Sequence, residues 1–271
     1  MANEKRARKK EARDRQAAER EAALRRRRMT RLGLLAFIVL AVVGIALASG
    51  RGEPEPTGDP AAQQPETEDP DASAACAAEA PPPADPQQYD APKYVIEKGV
   101  DYAAIMHTSC GEIEFDLLED KARRTVNSFV FLAREGFYDG LTFHRIVGNF
   151  VIQGGDPDGQ GNEEPNGPGY TVPDEFPEKG NEYVFGTVAM ANSGPGTTGS
   201  QFFIVVHRGP DGEPAPAGLD PLYTIFGKVA ESSYETVEEI AKQEVKAGTD
   251  PAEAEEPVVP VYIESIEIIE R

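Results

Sequence analysis

Phe143-His144-Arg145-Ile146-Val147-Gly148-Asn149-Phe150-Val151-Ile152-Gln153-Gly154-Gly155-Asp156 decides how the body of this chain is read. Residues 142–147 and 150–153 each have strand character, and a Gly/Pro/Asn-rich loop runs on to residue 169. A second stretch, Met190-Ala191-Asn192-Ser193-Gly194-Pro195-Gly196-Thr197-Thr198-Gly199-Ser200-Gln201-Phe202-Phe203, has the same texture. Both set an amide or guanidinium among aromatics and glycines, without a nucleophile or an acid–base pair. Such groups are poorly suited to breaking bonds and well suited to gripping a neutral, half-apolar ligand.

Working outward, residues 103–106 and 112–117 read as strands around a turn at Cys110-Gly111. In the second, Ile113, Phe115 and Leu117 alternate with Glu112, Glu114 and Asp116, as a half-buried strand requires. Residues 123–135 form a helix with Val126, Phe129, Val130 and Ala133 on one stripe and Gly136 as its stop. Residues 183–191, 201–206, 224–229 and 258–269 read as further strands. Ser232-Ser233-Tyr234-Glu235 predicts a capping-box start for a second helix reaching about residue 243. Many short strands with two helices point to one closed or sandwiched β domain over residues 94–271, with no internal repeat.

The rest of the chain is organised by charge. Residues 1–31 carry thirteen Lys/Arg against five Asp/Glu, a net of +8, and the remaining residues carry −28. A basic head on an acidic body argues against nucleic-acid binding, since the body would repel a duplex. Residues 32–48 contain no charged or amide side chain and reach the short end of the length that spans a bilayer. Arg25 to Arg28 and Arg31 precede them, so the positive-inside rule keeps the head cytoplasmic and exports the body. Ala46-Leu47-Ala48 also resembles a signal-peptide cleavage site, but the long charged lead favours an uncleaved anchor. Residues 49–93 hold ten Pro and ten Asp/Glu against two basic residues, which predicts an extended, disordered linker. The expected location is thus the cell membrane, single-pass, with the globular domain outside. Cys76 and Cys110 both fall on the exported side; one disulfide or two free thiols are the alternatives.

An Arg on a strand is most often solvated. Here Phe150, Gln153, Gln201 and Phe203 supply apolar faces and uncharged amides, so Arg145 would be the only cation of a mostly apolar concavity. Prolyl isomerisation needs that set. An X–Pro amide exchanges over tens to hundreds of seconds, and twisting it leaves a lone pair on the prolyl nitrogen. A guanidinium donor near that nitrogen stabilises the twisted state alone, while apolar walls hold the ring.

The two long stretches resemble the cyclophilin family of peptidyl-prolyl cis-trans isomerases, and the resemblance spans roughly residues 102–229. It implies a mainly β fold, a closed eight-stranded antiparallel β-barrel capped by two α-helices, acting without a cofactor. It implies Arg145 as the catalytic arginine, Phe150 as the floor of the proline pocket and Gln153 as its supporting amide. Ala191 and Asn192 would hold the substrate backbone, and Gln201, Phe203, Leu219 and Tyr223 would line the site. Val151 stands where many members have methionine, Tyr223 where many have histidine, and Gly218 where tryptophan is common. As the chain has no Trp, weak cyclosporin binding is expected. The expected partners are Pro-containing polypeptides of the cell envelope, bound by a monomeric catalytic domain. The alternative is a Pro-segment-binding chaperone module with little turnover.

Other leads are weaker. His107, His144 and His207 lack metal-ligand spacing, so no metal is expected, and His144 should make a structural hydrogen bond beside Arg145. The glycines after Gln153 lack the Lys-Ser/Thr ending of a phosphate loop. Pro173-Asp174-Glu175-Phe176 could in principle ligate calcium, but reads as a solvated acidic turn.

Overall fold

The computed structural model describes residues 76, 81, 87–159, 161, 167–179, 182–247 and 255–271. The basic head, the apolar stretch 32–48 and most of the linker lie outside them. Among the described residues no helix is long and apolar enough to cross a membrane.

Eight strands and two α-helices follow one another along the chain: β1 (Tyr102–Thr108), β2 (Gly111–Leu117), α1 (Arg123–Arg134), β3 (Arg145–Val147), β4 (Val151–Gly154), β5 (Thr187–Met190), β6 (Phe202–Val205), β7 (Ile225–Val229), α2 (Tyr234–Ala241) and β8 (Ile263–Glu270). They form one sheet in the order β3-β4-β6-β5-β7-β2-β1-β8, antiparallel throughout. The sheet curls until its two ends meet. Thr142 bridges Tyr262, Phe143 N donates to Val261 O at 2.9 Å, and Ile263 N donates to Leu141 O at 2.7 Å. These bonds occupy backbone groups that an open edge would leave unpaired.

The interior follows from alternation. In β2, Ile113, Phe115 and Leu117 are buried while Gly111, Glu112 and Asp116 are exposed. Ile146, Ile152, Ile204 and Val188 lie opposite one another across β3, β4, β6 and β5, and all four belong to the main core. Phe129, on α1, packs its ring 5.8 Å from Phe115 and 5.0 Å from Phe226, plugging the sheet with an aromatic cluster.

Helix α1 differs from the single-stripe reading. All of Thr125 through Ala133 is buried, because chain preceding β1 covers its other face. Tyr89 packs edge-on against Phe131 at 4.9 Å, Asn127 Nδ2 donates to Lys93 O, and Val95 N donates to Asn127 Oδ1. The packed structure therefore includes residues 87–93, ahead of the start at residue 94 read from the sequence. Cys76 is wholly buried and disulfide-bonded to Cys110, with the Cα atoms 4.2 Å apart.

Both helix starts depart from expectation. At α2 no side-chain cap forms; Ser233 Oγ instead accepts from Glu114 N at 2.9 Å, so a cross-sheet bond displaces the capping box. At α1 the first backbone donors go to a residue fifty positions away: Thr125 N donates to Glu175 Oε2 at 2.9 Å and Arg124 N to Glu175 Oε1 at 3.3 Å. A carboxylate there satisfies orphan amides and complements the helix dipole. Asp174 is similarly engaged, accepting from Gly196 N and Thr198 Oγ1. The segment around Glu175 is thus a structural clasp, neither a calcium loop nor a solvated turn. Helix α1 ends as read: Gly136 takes φ +70°, and Phe137 N bonds back to Leu132 O.

Candidate active site

Strand register puts the candidate residues on the sheet face opposite the main core. Arg145 lies across from Gln153, Gln153 across from Phe203, and Phe203 across from Ala189. Directly paired residues share a face, and the next residue along each strand points the other way. So while Ile146, Ile152 and Ile204 turn inward, Arg145, Gln153 and Phe203 form a row on the outer face. Val151 and Val205, paired one step along, flank it.

A second, smaller apolar cluster forms on that face. Val151, Tyr183, Ala189, Phe203, Val205 and Ile225 are buried there, and Phe150, Ala191, Leu219 and Tyr223 pack against them half-buried. The Tyr223 ring stands edge-on to Phe203 at 5.4 Å. Its backbone is pinned by Tyr183, whose hydroxyl donates to Tyr223 O at 2.7 Å and accepts from Tyr223 N at 3.1 Å. Burial pushes the Tyr183 hydroxyl up to about 12, so it stays a neutral hydrogen-bonding group.

Beside this apolar floor runs a polar chain. Arg145 Nη1 donates to Gln153 Oε1 at 3.3 Å, and Gln153 Nε2 donates to Gln201 Oε1 at 2.9 Å. Gln201 is only 2% exposed, yet its Nε2 has no hydrogen-bond partner among the described residues. A buried amide donor left open costs free energy unless something bonds to it. Ala191 N donates to Gln201 O at 2.9 Å, which closes the second stretch on itself, while the Gln153–Gln201 bond joins it to the first. Asn192 turns its side chain to the loops, donating to Leu222 O and accepting from Gly194 N.

All nine residues singled out from the sequence therefore gather on one face: eight through direct packing or the amide chain, and Asn192 by shaping the adjoining loop. The expectation that Arg145 has only uncharged neighbours needs correction. Its Nε donates to Glu255, a residue the sequence reading passed over. No local signal could have found Glu255, which lies 110 positions away in a Pro/Glu-rich run. His144 also differs. It is buried, and neither ring nitrogen has a hydrogen-bond partner among the described residues. Burial first, and then the Arg145 charge, hold it down to about 4, so it is neutral at physiological pH. Asp156, in the loop after β4, is raised to about 6, chiefly by burial. Among the described residues no three His, Cys, Asp or Glu side chains converge as metal ligands would.

Such a site has donors, an apolar floor and no proton-transfer pair, as a binder of prolyl amides requires. Comparison with known proteins agrees. Residues 103–268 match the family model described as cyclophilin type peptidyl-prolyl cis-trans isomerase/CLD. Peptidyl-prolyl cis-trans isomerase A of Mycobacterium tuberculosis is 40% identical over 181 residues, covering 61% of this chain and 91% of the relative. A protein of Staphylococcus saprophyticus is 36% identical over 193 residues, covering 64% of this chain and 94% of its own. The crystal structure of a cyclophilin type peptidyl-prolyl cis-trans isomerase from Cryptosporidium parvum superposes with a TM-score of 0.52 at 26% identity, over 63% of this chain and 99% of the other. The chain belongs to the cyclophilin family. It is a peptidyl-prolyl cis-trans isomerase, and cyclophilins bind proline-containing peptides.

Proposed function

We propose that this isomerase works on exported proteins from a membrane anchor, and that Arg145 drives the reaction by stabilising the twisted prolyl amide. The row of Arg145, Gln153 and Phe203 on the outer sheet face carries this reading. The substrate's proline ring packs over Phe150, with Phe203, Leu219 and Tyr223 lining the pocket around it. Arg145 donates toward the prolyl nitrogen as its lone pair localises, an interaction absent from the planar amide. The open Nε2 of Gln201 suits the substrate carbonyl, and Ala191 and Asn192 present the neighbouring backbone. No proton moves and no covalent intermediate forms. Gly218, with φ +73° and an open space beside it, leaves the usual tryptophan wall absent, which supports weak cyclosporin binding.

The location rests on charge partition: the +8 head, the uncharged stretch 32–48 and the acidic body. The Cys76–Cys110 bridge fits an oxidising compartment. Fractionation followed by protease treatment of intact spheroplasts tests it. The account expects the chain in the membrane fraction, with residues beyond 48 cut from outside and a tag on the head protected. Recovery of the whole chain in the cytosol contradicts it. For the pocket itself, Phe203→Ala should raise KM for an Ala–Pro peptide by about tenfold through lost apolar contact. An unchanged KM removes Phe203 from the site.

A further inference from the structure

Arg145 is held at two of its three guanidinium nitrogens. Nε donates to Glu255 Oε2 and Nη1 to Gln153 Oε1, while Nη2 has no hydrogen-bond partner among the described residues. A guanidinium is planar, so two acceptors on different nitrogens fix its tilt as well as its place. We propose that Glu255 is a positioning residue for isomerisation: its carboxylate anchors the Nε side of Arg145, so that the guanidinium meets the twisted prolyl amide already oriented. The proposal rests on the catalytic role given to Arg145 above.

Two observations separate this from a bridge that merely holds the fold together. First, the segment carrying Glu255 is tied down without its side chain. Lys246 N donates to Glu256 O at 2.8 Å, Val258 N to Glu244 O at 2.7 Å, and Pro257 bridges Val245. The backbone after α2 thus delivers Glu255 to Arg145 by its own bonds. Second, the pair is not fully buried, with side-chain exposures of 33% and 30%. Partly exposed ion pairs contribute little to stability, commonly under about 1 kcal/mol. What such a pair can do is restrict a long, flexible side chain. Arg carries roughly 2 kcal/mol of rotamer entropy, and a displacement on the order of 1 Å can cost a hundredfold in rate.

A carboxylate beside a catalytic cation could also act in the opposite sense, weakening Arg145 as a donor. The geometry favours positioning, because Glu255 engages Nε and leaves Nη2 open.

The test uses the full chain in detergent micelles, with kcat and KM taken from NMR exchange of an Ala–Pro peptide, for wild type, Glu255→Ala, Glu255→Gln, Arg145→Ala and the double alanine variant. Glu255→Ala should lower kcat about tenfold while KM stays within about twofold, since the planar substrate does not use the oriented donor. Glu255→Gln, which keeps an acceptor oxygen without the charge, should recover most of that loss. The double variant should match Arg145→Ala, as Glu255 acts only through Arg145. Melting temperatures within a few degrees of wild type keep folding out of the comparison. A Glu255→Ala variant with unchanged or raised kcat, beside a crippled Arg145→Ala, overturns the positioning role alone. So does a loss of kcat that Glu255→Gln fails to recover. If Arg145→Ala keeps its kcat, the catalytic reading of Arg145 falls, and the role of Glu255 falls with it.

Discussion

His144 and Asp156 flank the strand pair that carries Arg145 and Gln153, and burial moves their titrations in opposite directions. His144 is lowered to about 4, so below pH 6.5 the unfolded chain takes up a proton that the folded chain refuses. Stability from this group is complete above pH 6.5 and drains away toward pH 4, at about 1.4 kcal/mol per unit. Asp156 is raised from 3.8 to about 6, so the folded chain takes up its proton first. Its contribution is present at low pH and is lost as pH rises through 6. Between about pH 6 and 4 the two slopes oppose, and the wild type should show little net dependence from the pair. Single variants should uncover them. On going from pH 6 to 4.5, Asp156→Asn should lose about 2 kcal/mol and His144→Asn should gain a similar amount, read by urea unfolding. Parallel profiles in the two variants would show that burial does not shift these groups as described.

Element by element, short-range pattern predicted the interior and long-range contact set the boundaries. The alternation in β2 and the Gly136 stop were legible because each depends on neighbours a few residues away. The start of α1 was not, because its cap comes from Glu175. Glu175→Ala should therefore cost about 1–2 kcal/mol. That appears as a lowered unfolding midpoint, and Arg124 should gain no compensating contact; an unchanged midpoint would make the clasp incidental. The capping box at Ser232-Ser233 failed for the same reason, since Ser233 serves Glu114 on a strand 119 positions away. Gly155 shows a tighter constraint after β4. It takes φ +83°, and a Cβ there would sit 2.7 Å from Ser200 O, a backbone atom in the second site stretch. Gly155→Ala should cost at least about 2 kcal/mol by thermal or chemical unfolding. A loss below about 0.5 kcal/mol would mean that the loop relaxes freely.

For the molecule as a whole, the curled sheet has two faces, with an isoleucine row toward the core and the Arg145, Gln153 and Phe203 row on the outside. Seven of the nine candidate residues were legible in the two stretches by type and order, and Leu219 and Tyr223 in the run that follows them. Their shared outer face was not, because register between β3, β4 and β6 is set by pairing across the sheet. Glu255 was invisible for the same reason. The Cys76–Cys110 bridge adds a constraint on the unfolded chain over a sequence separation of 34. Its reduction should lower stability by roughly 3 kcal/mol, measured as a drop in melting temperature with dithiothreitol that a Cys76→Ala/Cys110→Ala variant does not show. A melting point indifferent to reductant would mean that the bridge is not formed in solution. The central claim is that Arg145, on the outer face, supplies the rate. The most direct measurement is the NMR exchange rate of an Ala–Pro peptide under wild-type protein and Arg145→Ala, each confirmed folded by near-ultraviolet circular dichroism. Losing a donor made only to the twisted state should cut kcat about a hundredfold or more. A folded variant retaining more than about half the wild-type rate would contradict the account.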